Sequence, residues 1–278
     1  MCKIVKQFFG VLPRMIRYAP KLRKMAKHID DYSIEERFAL SQSFMYSANK
    51  AVHIVPYISG QENLPKGQVL FTPNHSSGSD PVSLIMISDR PIAFVSKKEV
   101  KKVPVISKAI ESCGGKYIDR SDLRSEIKLF KEIDKEMDKF PTLSYVIFPE
   151  GTRAKAPDFN VGEFHAGSFK LATRRNIPIC PIAIFFSRRV FSGKYHYKKY
   201  PVQYRYLKPL YPEEYQNLTT AEISQIVRNE IIEALKDMKI KDREYVKECN
   251  NFSDKKLDKV FFVYEKPKKK KHSKSNVK

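Results

Sequence analysis

The sequence predicts an α/β fold: a single domain with a largely parallel or mixed sheet flanked by helices, preceded by N-terminal membrane-associating helices. Three observations carry this reading. Short apolar runs recur along the chain and alternate with longer stretches of helical periodicity, as in strand–helix–strand units. The run Ile179–Phe186 is apolar almost throughout, as a central strand covered on both faces is. An apolar content of 42% supplies a real core and sets the chain apart from disordered sequences. The expected boundaries are 1–55 for the N-terminal helices, 56–240 for the α/β domain and 241–278 for a basic, partly disordered tail.

Residues 1–27 hold Lys3, Lys6, Arg14, Arg17, Lys21, Arg23, Lys24 and Lys27 and no acid. On a helix, Ile4, Val5, Phe8, Phe9, Val11, Leu12, Met15 and Ile16 share one broad arc, with Lys3, Lys6, Arg14 and Arg17 opposite. Such a helix lies in a membrane interface or packs its arc on the domain, and the two are not exclusive. Pro13 is expected to kink or break it. Ser33-Ile34-Glu35-Glu36 has capping-box spacing and opens a second helix to about Ala51. Pro56, Gly60, Pro65 and Gly67 then punctuate a strand and a loop.

Strands and helices alternate from there. Strands are expected at Val69–Phe71, Ile92–Ser96, a short piece within 114–120, Tyr145–Phe148, Ile179–Phe186 and, nearer an edge, Val202–Leu207. Helices are expected at Pro81–Ile87, Val105–Ser112, Ser121–Lys139 and Gly167–Arg175. A last one is capped by Thr219-Thr220-Ala221-Glu222 and runs to about Met238. The Lys-rich stretch after Tyr264 reads as disordered.

A formal charge of +21 calls for an anionic partner: a membrane surface, a nucleic acid or a phosphorylated ligand. No recognisable nucleic-acid motif is present, and the N-terminal basic residues flank an apolar arc, which favours the membrane. The four cysteines are far apart with no C-x-x-C, so neither a disulfide framework nor a zinc site is expected, and no metal is required. No run of about 18 apolar residues suggests a membrane span, and no signal-peptide pattern stands at the N-terminus.

Ligands in open α/β sheets bind beyond the carboxyl ends of strands. Three punctuated stretches fall at such places, 74–80, 115–120 and 148–153, and supply His75, Asp80, Arg120, Glu150 and Arg153. On a straight helix His75 and Asp80 would point roughly 140° apart, so a turn through Ser76, Ser77, Gly78 and Ser79 must fold one back on the other. A neutral histidine held by a carboxylate is a general base of fixed tautomer. The alternative is a helix-capping turn with an incidental histidine. Arg153, behind Gly151 and Thr152, has the forked cation that grips phosphate, or it pairs with Glu150.

Four stretches, in order, resemble the motifs of the glycerolipid acyltransferase family, whose bacterial type is the 1-acyl-glycerol-3-phosphate acyltransferase. Asn74-His75-Ser76-Ser77-Gly78-Ser79-Asp80 looks like its N-H-x-x-x-x-D. Gly115-Lys116-Tyr117-Ile118-Asp119-Arg120 resembles its second motif, with Tyr117 in place of Phe. Phe148-Pro149-Glu150-Gly151-Thr152-Arg153 is the same as F-P-E-G-T-R. Ile177-Pro178-Ile179-Cys180-Pro181-Ile182 resembles V-P-I-V-P-V, with Cys180 at an aliphatic position. The resemblance covers about residues 60–210.

It implies transfer of a fatty acyl group from acyl-CoA or acyl carrier protein to the sn-2 hydroxyl of 1-acyl-sn-glycerol-3-phosphate, lysophosphatidic acid, giving phosphatidic acid, with no cofactor. His75 and Asp80 would be catalytic; Arg153, Glu150, Gly151, Thr152, Arg120 and Lys97 would bind substrate. Glycerol-3-phosphate or another lysolipid is the alternative acceptor, and a non-catalytic membrane- or nucleic-acid-binding protein the alternative class. The expected location is the cytoplasmic side of the cell membrane, held peripherally at its phospholipid surface.

Overall fold

The computed structural model describes residues 3–118, 123–154 and 161–258. Two helices open the chain, α1 (Lys3–Lys27) and α2 (Ile34–Val52). Strand β1 (Ile54–Ser59) follows, then β2 (Leu70–Pro73), α3 (Asp80–Ile87), β3 (Ile92–Lys97), α4 (Pro104–Ser112) and β4 (Lys116–Ile118). Next come α5 (Leu123–Lys139), β5 (Ser144–Val146), α6 (Lys170–Arg175), β6 (Ile179–Phe185) and β7 (Tyr200–Tyr206). The short α7 (Pro212–Tyr215) and the long α8 (Thr220–Asn250) complete the order.

The seven strands form one sheet in the order β1-β7-β6-β2-β5-β3-β4. Strands β6, β2, β5, β3 and β4 run parallel to one another, so their carboxyl ends share one edge. β7 is antiparallel to β6, and β1 is parallel to β7, so these two strands run the other way. The sheet is therefore mixed. Every residue of β6 is buried, which its position between β7 and β2 explains. Cys180 sits within it as a small apolar side chain, its thiol pushed up to about 12 by burial.

Two expectations are corrected. The helix of residues 3–27 is not broken at Pro13: α1 is continuous through Pro13 and Pro20. Pro13 cannot donate to the turn before it, and in that turn the Arg14 guanidinium donates to the Gly10 carbonyl. Strand β7 does lie nearer an edge than β6, with only β1 outside it, pairing Ile54 with Tyr200 through Ser59 with Arg205. The last helix does not stop near Met238. It continues to Asn250, and Val246, Phe252 and Leu257 are buried, so the expected tail from 241 begins inside a packed helix. The segment after Tyr264 lies outside the described residues.

The N-terminal helices share the domain's core. Leu22 and Met25 of α1, and Ile34, Phe38, Phe44 and Met45 of α2, are buried, and α1 packs on α2 and α4. The capping box of Ser33 and Glu36 opens α2 as the spacing predicts. The other face of α1 is open: Ile4, Val5, Phe8, Phe9 and Ile16 are exposed. No helix among the described residues is long and apolar enough to cross a membrane.

Candidate active site

The site forms at the shared carboxyl edge. Strand β2 ends at Pro73, and its neighbour β6 continues alongside. There the Asn74 side chain takes over the ladder: its Nδ2 donates to the Ile184 carbonyl at 3.0 Å and its Oδ1 accepts the Ile184 N–H at 2.7 Å. The backbone is thereby free to turn, and Ser76–Ser79 bring the chain round to α3. Pro81 in the first turn of α3 needs no N–H partner there.

That turn folds His75 onto Asp80. His75 Nδ1 lies 2.9 Å from Asp80 Oδ2. The same oxygen accepts the N–H groups of Ser76 and Ser77, each at 2.8 Å. Asp80 is fully buried. An oxygen held as acceptor by two backbone donors directs Nδ1–H toward itself, which leaves Nε2 as the basic nitrogen. The His75 side chain is 17% exposed, so Nε2 can be reached. Phe148 packs on the imidazole, with ring centroids 4.2 Å apart.

The turn after β5 lies beside it. Gly151 closes this turn in the left-handed region, at φ 64°, where a side chain would be strained. Glu150 points inward: Oε1 accepts the His75 N–H at 2.6 Å and Oε2 accepts the Gly162 N–H at 2.9 Å. Burial pushes the Glu150 carboxyl up, and the two N–H donors partly offset this. Gly162 is required by the closeness, since a Cβ there would meet Oε2 at 2.8 Å. A further bond, from Ala154 N–H to the His75 carbonyl at 2.9 Å, ties the two turns together.

The expected site residues divide accordingly. His75, Asp80, Glu150 and Gly151 are brought together. Glu150 does not pair with Arg153, and its carboxylate faces the backbone rather than an open substrate space. Arg153 is exposed, with its guanidinium near Gly78: a Cβ on that glycine would lie 3.8 Å from Nη1. Among the described residues no carboxylate pairs with Arg153. Thr152 is exposed beside it. Lys97 ends β3 on the same edge, two strands from β2, and is exposed. Arg120 lies outside the described residues.

Sequence reasoning gives Asn74 no role beyond its place in a motif and passes over Gly162 and the stretch Ser187–Arg188. The last follows β6, a strand parallel to β2, so it is a further strand end at this edge. The strand-end rule, applied to β6 as well, would have found it. Ser187 Oγ lies 2.8 Å from Ser76 Oγ. The Arg188 guanidinium donates to the carbonyl of Ser76 at 3.4 Å and to that of Ala154.

The chain is similar in sequence and in fold to known proteins. The family model described as Acyltransferase matches residues 55–185. A 1-acyl-sn-glycerol-3-phosphate acyltransferase of Saccharomyces cerevisiae is 28% identical over 182 residues, 65% of this chain and 60% of that one. A probable 1-acyl-sn-glycerol-3-phosphate acyltransferase of Mycoplasma pneumoniae is 28% identical, covering 73% of this chain and 79% of that one. The chloroplastic enzyme BAT2 of Brassica napus is 30% identical, but only 41% of it is covered. The chain thus spans between about two fifths and four fifths of these relatives. In fold it is similar to the crystal structure of the 1-acyl-sn-glycerophosphate acyltransferase PlsC of Thermotoga maritima. The TM-score is 0.67 at 18% identity, over 85% of this chain and 95% of that one. With the motifs at 74–80 and 148–153 meeting at one sheet edge and the family model matched across β1 to β6, the chain is similar to the acyltransferase family over residues 55–185.

Proposed function

We propose that this protein transfers a fatty acyl group from a thioester, acyl-CoA or acylated carrier protein, to the sn-2 hydroxyl of 1-acyl-sn-glycerol-3-phosphate, giving phosphatidic acid. The observation that carries this reading is the pairing of His75 Nδ1 with buried Asp80 at 2.9 Å, which leaves Nε2 as the basic nitrogen of a partly exposed side chain. His75 Nε2 takes the proton of the acceptor hydroxyl as its oxygen attacks the thioester carbonyl. Asp80 fixes the tautomer and stabilises the imidazolium. The tetrahedral intermediate collapses, the carbon–sulfur bond breaks, and the imidazolium returns the proton to the departing thiolate. Arg153 binds the acceptor phosphate, with Lys97 at the end of β3 and Arg120 as further cations. Glu150 acts through the backbone by holding the His75 peptide. The names of the relatives support lysophosphatidic acid as acceptor.

The exposed apolar residues of α1 support peripheral attachment to the cytoplasmic leaflet. Phe8 and Phe9 are 55% and 58% exposed, beside a run of basic residues. Seated there, α1 brings the site to the lipid boundary, and a lysolipid enters sideways with its chain still in the bilayer. Purified protein assayed with lysophosphatidic acid, glycerol-3-phosphate and a phosphate-free lysolipid, each with acyl-CoA and acyl carrier protein donors, tests the reading. Turnover fastest with lysophosphatidic acid supports it; turnover only with another acceptor, or none, overturns it.

A further inference from the structure

The turn after β6 is fastened to everything around it. Phe186 enters it in the left-handed region, at φ 61°. Arg189 is fully buried and pairs with Asp242 of α8 at 2.6 Å. Its carbonyl, with those of Ser192 and Tyr195, accepts from Lys3 Nζ at 2.7, 3.0 and 2.9 Å, and Gln7 Nε2 donates to the Val190 carbonyl at 2.9 Å. So α1 and α8 both grip this segment. Between these anchors Arg188 points the other way, at the site.

Arg188 meets both turns through their backbones. Its Nε donates to the carbonyl of Ser76, the residue whose own N–H holds Asp80 Oδ2. Its Nη2 donates to the carbonyl of Ala154, whose N–H holds the His75 carbonyl. Each peptide it touches is one link from the His75–Asp80 pair. A guanidinium suits this task, because its planar fork reaches two carbonyls in fixed directions while a lysine offers donors at a single point.

We propose that Arg188 is a positioning residue for the acyl transfer. By bridging the carbonyls of Ser76 and Ala154 it clamps the turn after β2 to the turn after β5 and holds the imidazole in line with Asp80. This rests on the acyl-transfer reading above. The clamp stands on a segment that α1 and α8 fix from behind, so the geometry at His75 depends on how these helices are seated. A merely structural arginine would lower stability and leave the residual kinetics of the folded protein unchanged.

The test uses Arg188→Lys and Arg188→Ala in the full chain, with circular dichroism to establish folding. The first readout is kcat and acceptor KM with lysophosphatidic acid and acyl-CoA. Misplacing a reacting group by about 1 Å costs on the order of 100-fold, so kcat is expected to fall about 10–100-fold in Arg188→Ala and less in Arg188→Lys. Acceptor KM is expected to stay within about twofold, because the phosphate cations are untouched. The second readout needs no substrate: the downfield Nδ1–H proton resonance of His75, which shifts or broadens when its bond to Asp80 is disturbed. An unchanged resonance in a folded Arg188→Ala protein overturns the proposal. So does a rise in KM at unchanged kcat, which would make Arg188 a substrate ligand. If Arg188→Ala does not fold, the same two readouts in Arg188→Lys decide. If the wild-type protein transfers no acyl group, the acyl-transfer reading fails by itself, and the resonance still reports whether Arg188 sets the His75–Asp80 geometry.

Discussion

Glu150 holds His75 by the peptide rather than by the ring: its Oε1 accepts the His75 N–H at 2.6 Å. Glu150→Gln keeps the shape but offers one acceptor where two N–H groups need one each. An N–H facing the amide nitrogen is left unpaired, at a cost of about 1–3 kcal/mol. Lower thermal stability and lower kcat are expected together. Gly162→Ala probes the same contact from the other side, since its new methyl pushes on Oε2, and both variants are expected to lose activity in parallel. The substitution also changes the pH dependence. The Glu150 pKa is raised in the folded state by burial. Its contribution to stability is therefore fully present below the ordinary glutamate value, about 4.3, and is lost as pH rises through the higher folded value. Unfolding temperatures of the wild-type and Glu150→Gln proteins across this window should show a downward slope with pH in their difference. A flat difference would remove Glu150 as a titrating group.

His75→Ala is expected to abolish transfer and leave the fold intact, because the side chain is partly exposed and fills little of the core. Loss of the general base costs about 10²–10⁴-fold in rate. Asp80→Asn should also be severely slowed, since an amide can present its N–H to Nδ1 and favour the wrong tautomer. A folded His75→Ala protein with a tenth of wild-type turnover, roughly, would exclude His75 as the base.

Arg153→Ala should act on the acceptor. The side chain is exposed and pairs with no carboxylate among the described residues, so stability is expected to hold. A lost charge-assisted bond is worth about 1.5–3 kcal/mol, which appears as a rise in acceptor KM of roughly 10–150-fold. Arg153→Lys should recover part of it, as one point charge replaces a fork. An unchanged KM in both variants would count against phosphate binding.

Attachment to lipid is read on vesicles. Replacing Phe8, Phe9 and Ile16 by Ser removes three of the exposed apolar side chains of α1 while sparing its buried face. Flotation with anionic vesicles should drop even at low salt. Replacing Arg17, Lys21 and Arg23 by Gln should weaken binding to anionic vesicles only, by about 1 kcal/mol per charge. Binding unchanged in both sets would mean that the open face of α1 serves another purpose.

The sheet and the pairing of His75 with Asp80 were legible because each rests on a local pattern. Apolar runs mark buried strands, and a five-residue spacing across small residues in a strand-to-helix turn leaves few ways to fold. What the sequence concealed depends on neighbours distant along the chain. Glu150 could be read as a partner of Arg153 because both stand in one short motif. Only the fold shows that its oxygens meet the N–H groups of His75 and Gly162. Val202–Leu207 reads as a strand near the edge and is one, but no local signal announces that β1 pairs along it. The length of α8 was underestimated because its surface is strongly charged beyond Met238 while Asp242 is buried by pairing with Arg189. Arg188 was missed, and the role of Asn74 within its motif went unread, because both act on backbone groups, which every residue carries.

The docking of Lys3 on the carbonyls of residues 189, 192 and 195 bears on the order in which the protein is made. Contacts between such distant parts of a chain form late in folding, and synthesis runs from the N-terminus. A nascent chain that has not yet reached residue 189 holds an α1 with no seat for its first residues. In that interval the helix is free to meet lipid before it meets the rest of its own domain. Ribosome-bound chains truncated before and after this point would differ in how readily they bind vesicles, with the shorter ones binding more.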